Sequence, residues 1–264
     1  MTAPLYTELA KNSEDILASQ QLRYQIFAGE QGATLDEKSE HFRFDHDHYD
    51  PYCHHLLVRE QGSQKIVGST RILTQSGARD AGSFYSENEF DLRYMFPNLM
   101  GNVIEIGRTC IHPDYRNGVG IYTLWSGLAQ FIETHNVDFM FGCASVSLRD
   151  GGRQATALVE LAAKKHQAPA KYRVTPRLKL LPMVAADELK LPPLLKAYLK
   201  LGAWIAGEPC IDPDFNVADF FILLDVSKLS PRYQRHYLQV KQHPLHGNYP
   251  KPTAANQHVV TYPQ

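Results

Sequence analysis

Three groups of residues have side chains and spacings suited to chemistry on a charged substrate. Glu105 and Arg108 stand within Glu105-Ile106-Gly107-Arg108. A carboxylate can take up a proton, and a guanidinium binds a carboxylate through two parallel hydrogen bonds. On an extended strand these two positions face opposite sides, unless Gly107 marks a bulge that brings both to one cleft; the plain alternative is an internal ion pair. The second group is the segment Phe44-Asp45-His46-Asp47-His48-Tyr49-Asp50, with Cys53, His54 and His55 just beyond. Asp45 and Asp47 alternate onto one face, where carboxylates can hold a cationic substrate. The cluster also has the donor types of a metal site, but a solvated loop followed by core-facing histidines needs no metal, and none is expected. Third, Tyr115-Arg116-Asn117-Gly118-Val119-Gly120 precedes a helical pattern. Free amides and the helix dipole would favour an anion such as phosphate there, although Gly-rich turns before helices are frequent.

These residues need a frame. Val103 to Ile111 is rich in β-formers, Gly118 to His135 repeats Ile121, Leu124, Trp125, Leu128 and Ile132 at helical spacing, and Phe139 to Val146 reads as a returning strand. A strand-helix-strand unit of this length is a right-handed crossover between parallel strands. Upstream, Ser13 can cap a helix to about Ala28 that carries Arg23 and Phe27 four apart on one face. Gln31 to Tyr52 lacks periodicity and reads as a long loop. His54 to Arg59 and Ile66 to Leu73 form a hairpin, with Arg71 near its end, and Phe84 to Phe96 is expected to be at least partly helical. Downstream, Gly152 to His166 is amphipathic, and 167–193 is a Pro-rich basic connector. Leu194 to Ala206 is a leucine-rich helix, Ala218 to Val226 a buried strand, and Arg232 to Val240 a short helix opened by Ser230-Pro231. This alternation predicts an α/β core over residues 1–166, a C-terminal extension over 167–242 packed on it, and an irregular tail over 243–264.

Composition narrows the function classes. The 264 residues are 44% hydrophobic and 21% charged with a net charge of -1, which gives no general attraction to nucleic acid. There is no export signal and no run of 18 apolar residues, so a cytoplasmic location is expected. Cys53, Cys110, Cys143 and Cys210 lack CxxC spacing and read as buried thiols. No G-x-S-x-G elbow occurs, and no His is followed five positions later by Asp, which disfavours serine-type acyl transfer and the membrane glycerolipid type.

Taken together, the order strand, HPDYR, glycine loop, helix and strand resembles the acyl-donor-binding core of the GNAT acyltransferase superfamily, which implies a mixed central sheet flanked by helices. Counted from Arg116, the family's usual glycine positions fall on Val119 and Ile121, whereas Gly118 and Gly120 lie between them. The shift implies an altered pyrophosphate loop, compatible with a phosphopantetheine donor. Arg23, Phe27, Asp45, Asp47, Asp50, Arg71 and Glu105-x-x-Arg108 are similar to the set in acyl-homoserine-lactone synthases. A closer resemblance, over Arg23 to about Tyr237, is to the L-ornithine N-alpha-acyltransferases. It is carried by EIGRTCIHPDYR, LWSGLAQFI, FGCAS and the stretch from Leu191 to Tyr237, which the lactone synthases lack.

The resemblance implies transfer of a 3-hydroxyacyl group from acyl carrier protein, or from coenzyme A, to the α-amine of ornithine, with no permanently bound cofactor. Other readings are acylation of another amino acid such as glycine, lactone synthesis, or a non-catalytic acyl-binding module. In the first reading Glu105 accepts the ammonium proton, and Arg108 and Arg71 fix the substrate carboxylate. Asp45 and Asp47 hold the side-chain ammonium or the arginines. A backbone amide near Cys110, Ile111 or His112 stabilises the oxyanion, and Arg116 with the amides from 117 through Gly118, Val119 and Gly120 to Ile121 holds the phosphate. Arg153, Lys164, Lys165, Lys171 and Arg173 are candidates to meet the acidic carrier. The Leu189 to Ala206 segment could rest on a membrane surface or simply pack on the core.

Overall fold

A computed structural model describes residues 3–181 and 183–229. The short helix expected after Ser230 and the tail from 243 lie outside the described residues. In chain order, Leu5–Leu9 forms β1, Ser13–Tyr24 α1, Glu37–Phe42 α2, His54–Glu60 β2, Ile66–Thr74 β3 and Gln75–Ala81 α3. Phe90–Asp91 is β4, Asn102–Ile111 β5, Val119–Thr134 α4, Val137–Ser147 β6 and Arg153–Leu161 α5. Thr175–Pro176 is β7, Pro193–Leu201 α6, Trp204–Ile205 β8, Cys210–Asp212 β9 and Val217–Asp225 β10. The chain divides into two units: residues to Ser83 with Ile106–His135, and Phe84–Glu105 with the described residues from Asn136. The boundary expected at 166 falls inside the second unit, and β5 contributes its start to one unit and its end to the other.

In the first unit the strands run in the order β1-β2-β3-β5, and β1 and β3 both pair antiparallel to β2. The predicted hairpin forms because β2 and β3 are nearly continuous apolar runs; Leu56, Leu57, Val58 and Val67 are fully buried. Asn12, not Ser13, caps α1 by accepting from the Asp15 amide at 2.8 Å. The helix then continues as a wider π turn over Gln25–Glu30. The loop expected over 31–52 contains one short helix, α2, capped by Asp36. The inward side of α4 carries Leu124, Trp125, Leu128 and Phe131. Its backbone comes close to β1 at Gly127, where an added Cβ would lie 2.6 Å from Thr7 Oγ1.

In the second unit the start of β5 pairs parallel with β6, and β10 pairs antiparallel with β6, β8 and β9. Register sets which side chains share a face. Glu105 lies opposite Phe141, Phe221 opposite Cys143, and Asp219 opposite Ser145, so these residues project to one side. On that side Phe84, Phe141, Phe221 and Phe90 form a chain of ring contacts 5.0 to 5.5 Å apart. This contact explains why Phe84 to Phe96 departs from the expected helix. Phe84 and Phe90 are buried in the core, and the backbone follows them as a 3-10 turn over Tyr85–Asn88 and strand β4, paired with β7. Helix α6 buries Leu195, Tyr198, Leu199 and Leu201, so its apolar face is used in packing. Exposed apolar side chains lie instead at Leu178, Leu181, Met183 and Val184.

Gly127→Ala is expected to destabilise the protein by ~1–3 kcal/mol, because β1 must shift to admit the methyl group. A urea midpoint unchanged from wild type would show that Thr7 yields without cost.

Candidate active site

In the first unit three arginines and three aspartates condense into one buried network. Arg23, on the inner side of α1, is fully buried. Its Nε donates to Asp45 at 2.8 Å and its Nη1 to Asp50 at 2.7 Å. Arg71, on β3, donates through Nη1 to Asp47 at 2.5 Å and to Asp50 at 3.1 Å. Arg108 Nε lies 3.2 Å from Asp45, and its Nη2 lies 3.5 Å from Asp47. Gln20 and the buried His55 close the network, Gln20 by donating to the Asp50 carboxylate and His55 through a 3.0 Å ring contact with the Asp50 carbonyl. Burial by itself would raise the Asp50 carboxyl, but Arg23, Arg71 and His55 outweigh it and hold the group well below the ordinary carboxylate range. Burial lowers His55. Asp45 and Asp47 each pair with two arginines of the network.

Arg108 is also where β5 deforms. It has φ of 50°, the left-handed region that non-glycine residues seldom occupy, while Gly107 is not among the positive-φ positions. The irregularity expected at Gly107 is therefore borne one residue later, where the arginine's ion pairs with Asp45 and Asp47 offset the strain. Phe27 and Cys110 enter the core beside Leu22, Ile26, Leu57 and Ile66, and burial pushes the Cys110 thiol up to about 12.

At the head of α4, Gly118 has φ of 101° and serves as the N-cap, a conformation that favours glycine. Gly120 is buried, and a Cβ there would meet the Tyr115 carbonyl at 2.7 Å and Ile111 at 2.8 Å. Val119 is exposed and Ile121 half-buried beside it. The displaced glycines thus have structural reasons of their own. Arg116 Nε donates to the Ile111 carbonyl at 2.9 Å, and its Nη2 donates to Glu30 at 2.8 Å; a phosphate at this loop must compete with Glu30. The Asn117 side chain accepts from the Val119 amide at 3.2 Å. The His112 amide donates to the Val67 carbonyl at 2.8 Å and is committed to the fold.

Glu105 belongs to the second unit and is 3% exposed. Its carboxylate accepts from the Tyr85 amide at 2.7 Å, the Ser86 amide at 2.8 Å and the Ser86 hydroxyl. Ser86 Oγ is also 3.4 Å from Cys143 Sγ, and the Cys143 thiol hydrogen-bonds the Glu89 side chain. Beyond it lies a group that sequence reasoning missed. Carboxylate oxygens of Glu89, Asp212 and Asp219 lie within 4.8 Å of one another. Ser145 donates to Asp219 at 2.6 Å, and the amides of Asp214 and Phe215 donate to Asp212 at 2.9 and 3.2 Å. Burial, with the charges of Asp219 and Asp212, pushes Glu89 up to about 9.

The two acidic groups have opposite linkage to pH. The Asp50 contribution is present above its ordinary value of 3.8 and is lost on acidification below it. Removing one partner of this network leaves buried charge uncompensated, so Asp50→Asn is expected to cost ~3–5 kcal/mol by denaturant unfolding; a loss below ~1 kcal/mol would contradict a structural role. Glu89 holds its proton more tightly folded than unfolded. Its contribution is complete below 4.5 and declines as pH rises toward about 9. The stability of wild type relative to Glu89→Gln should therefore fall by ~1 kcal/mol per pH unit across that window, and a difference independent of pH would remove the argument.

Comparison with known proteins places these features. A family profile for the acetyltransferase (GNAT) domain matches residues 22–126. The L-ornithine N(alpha)-acyltransferase of Brucella abortus (strain 2308) is 34% identical over 253 residues, covering 88% of both chains. That of Rhodobacter capsulatus is 31% identical, covering 89% of this chain and 96% of its own. Among solved structures, the CoA-dependent acyl-homoserine lactone synthase BjaI superposes with a TM-score of 0.52 at 13% identity, covering 89% of this chain and 90% of its own. FeeM, an N-acyl amino acid synthase from uncultured soil microbes, also gives 0.52, at 10% identity, covering 88% of this chain and 96% of its own. Those two likenesses establish a shared fold, the mixed sheet with flanking helices. With a third of its residues identical to the Brucella enzyme over nearly the full length of both, the chain is an acyltransferase and belongs to the L-ornithine N(alpha)-acyltransferase family.

Proposed function

We propose that the protein transfers a 3-hydroxyacyl group from the phosphopantetheine thioester of acyl carrier protein to the α-amine of ornithine, giving a lyso-ornithine lipid. The observation that carries this reading is the identity of 31–34% to four L-ornithine N(alpha)-acyltransferases, each over 88–89% of the chain. A thioester is already activated. The protein has chiefly to hold a neutral amine ~3–3.5 Å from the carbonyl carbon and to stabilise the oxyanion that develops. Nitrogen attacks carbon, the carbon–sulfur bond breaks, and the proton lost from nitrogen leaves through Glu105, directly or through water, while the thiolate departs with the carrier. The donors from Tyr85 and Ser86 support this role by fixing the orientation of the Glu105 carboxylate. At the head of α4 the donor phosphate would take Arg116 from Glu30.

The basic side chains at Arg153, Lys164, Lys165, Lys171 and Arg173 are exposed, which suits contact with an acidic carrier. No helix among the described residues is long and apolar enough to cross a membrane, and the packing of α6 gives no support to a membrane role for its apolar face.

Mass spectrometry of lipids from a host expressing this protein alone should reveal an N-acylated ornithine; an acylated glycine in its place would reassign the acceptor. Glu105→Gln should lower kcat by about 100-fold or more with acyl carrier protein and ornithine supplied. Unchanged turnover would move the base elsewhere.

A further inference from the structure

The ion network around Asp50 leaves no net charge for a cationic substrate group, because Asp45, Asp47 and Asp50 face Arg23, Arg71 and Arg108. The second acidic group is different. Glu89 and Asp219 are buried and Asp212 is half-buried, and their oxygens converge within 4.8 Å. Among the described residues, no basic side chain forms an ion pair with Glu89 or Asp212. Glu89 is 8% exposed, and its Oε2 is buried without a hydrogen-bond partner. A buried acceptor without a donor costs ~1–3 kcal/mol and calls for an explanation.

We propose that Glu89, Asp212 and Asp219 form the subsite that receives the side-chain ammonium of the amino-acid acceptor. The inference rests on the transfer to ornithine proposed above and names the residues that would select a diamino acid as acceptor. Three features point to an ammonium ion. An ammonium donates three hydrogen bonds of ~2.8 Å in tetrahedral directions, which sets its acceptors about 4.6 Å apart, within the 4.8 Å limit that bounds the separations in this group. The group also lies on the same sheet face as Glu105, through the register that aligns Glu105 with Phe141 and Asp219 with Ser145. Ser86 and Cys143 bridge the interval between the carboxylates of Glu105 and Glu89. Ornithine has two amines, and this unit has two separate carboxylate positions along one face. Finally, the half-buried Asp212 gives the group its opening to solvent. The high proton affinity of Glu89 fits the same picture, since a cation beside it would take the place of that proton.

The test compares acceptors that differ only at the far end: ornithine, and norvaline, which has the same carbon chain without the terminal amine. Both are supplied to the purified protein with a 3-hydroxyacyl thioester on acyl carrier protein and on coenzyme A. Wild type should favour ornithine in kcat/KM by about 100-fold or more. The ornithine-to-norvaline ratio should fall by about 10- to 100-fold in Glu89→Gln, Asp219→Asn and Asp212→Asn, mainly through the KM for ornithine. The ratio is unaffected by the fraction of correctly folded enzyme. Wild type that acylates neither acceptor would overturn the transfer to ornithine itself. Wild type that prefers ornithine, with variants that keep the same ratio, would leave the transfer standing and overturn the subsite. Ornithine turnover abolished by EDTA and restored by Mg²⁺ or Ca²⁺ in wild type but not in the variants would assign the group to a metal and overturn the proposal.

Discussion

A guanidinium buried to 0% exposure is the constraint around which the first unit is arranged. An isolated charge of this kind would cost several kcal/mol or more in a protein interior, so Arg23 requires carboxylates brought to it with good geometry. Asp45 and Asp50 supply them from a segment with little regular structure. The same carboxylates then engage Arg71 from β3 and Arg108 from β5. One ion network thus ties together α1, the loop before β2, and two strands. It also holds Arg108 in a backbone conformation that a leucine or valine at this place would not support.

The second unit handles charge by another route. Around Glu105 two backbone amides and one serine donate to the carboxylate and fix its orientation. Around Glu89, among the described residues, no basic side chain pairs with the carboxylate; Cys143 and Tyr85 hydrogen-bond it, yet burial and the neighbouring Asp219 and Asp212 raise its proton affinity. Glu105 is thereby held in position, whereas the group around Glu89 is the one proposed to receive a positive charge. Phe84, Phe141, Phe221 and Phe90 pack together on the sheet face that also carries Glu105 and Asp219.

Much of this was legible in the sequence where the signal is local. The β2–β3 hairpin, the strand-loop-helix of β5 and α4, and the buried strand β10 each follow from apolar patterning over a few residues, and Arg23, Asp45, Asp47 and Arg71 could be named from motif resemblance. What was not legible depends on contacts far apart in the chain. Phe84 to Phe96 has helical spacing, yet its phenylalanines are drawn to rings on β6 and β10, and the packing overrides local propensity. Gly107 looked like the bulge residue, but the strain sits on Arg108 because its ion partners lie some sixty residues away. Glu89 carries no motif. Its partners Asp212 and Asp219 reach it only through the pairing of β9 and β10 with the sheet, and the sole signal in the sequence would have been an aspartate, Asp219, inside an otherwise apolar strand.

Glu89 also poses a question of cost. At neutral pH a glutamine or a leucine in its place would spare the fold a carboxyl that must bind a proton to remain buried, one oxygen of which has no donor. A residue that makes the free protein less stable is retained without penalty when a ligand that binds only the folded state restores the difference. Functional sites are where such local conflicts concentrate. The Arg23 network shows that this chain can neutralise buried carboxylates thoroughly with its own arginines. For Glu89 and Asp212, among the described residues, no arginine does so, and a cationic acceptor is the partner that the proposed subsite would receive.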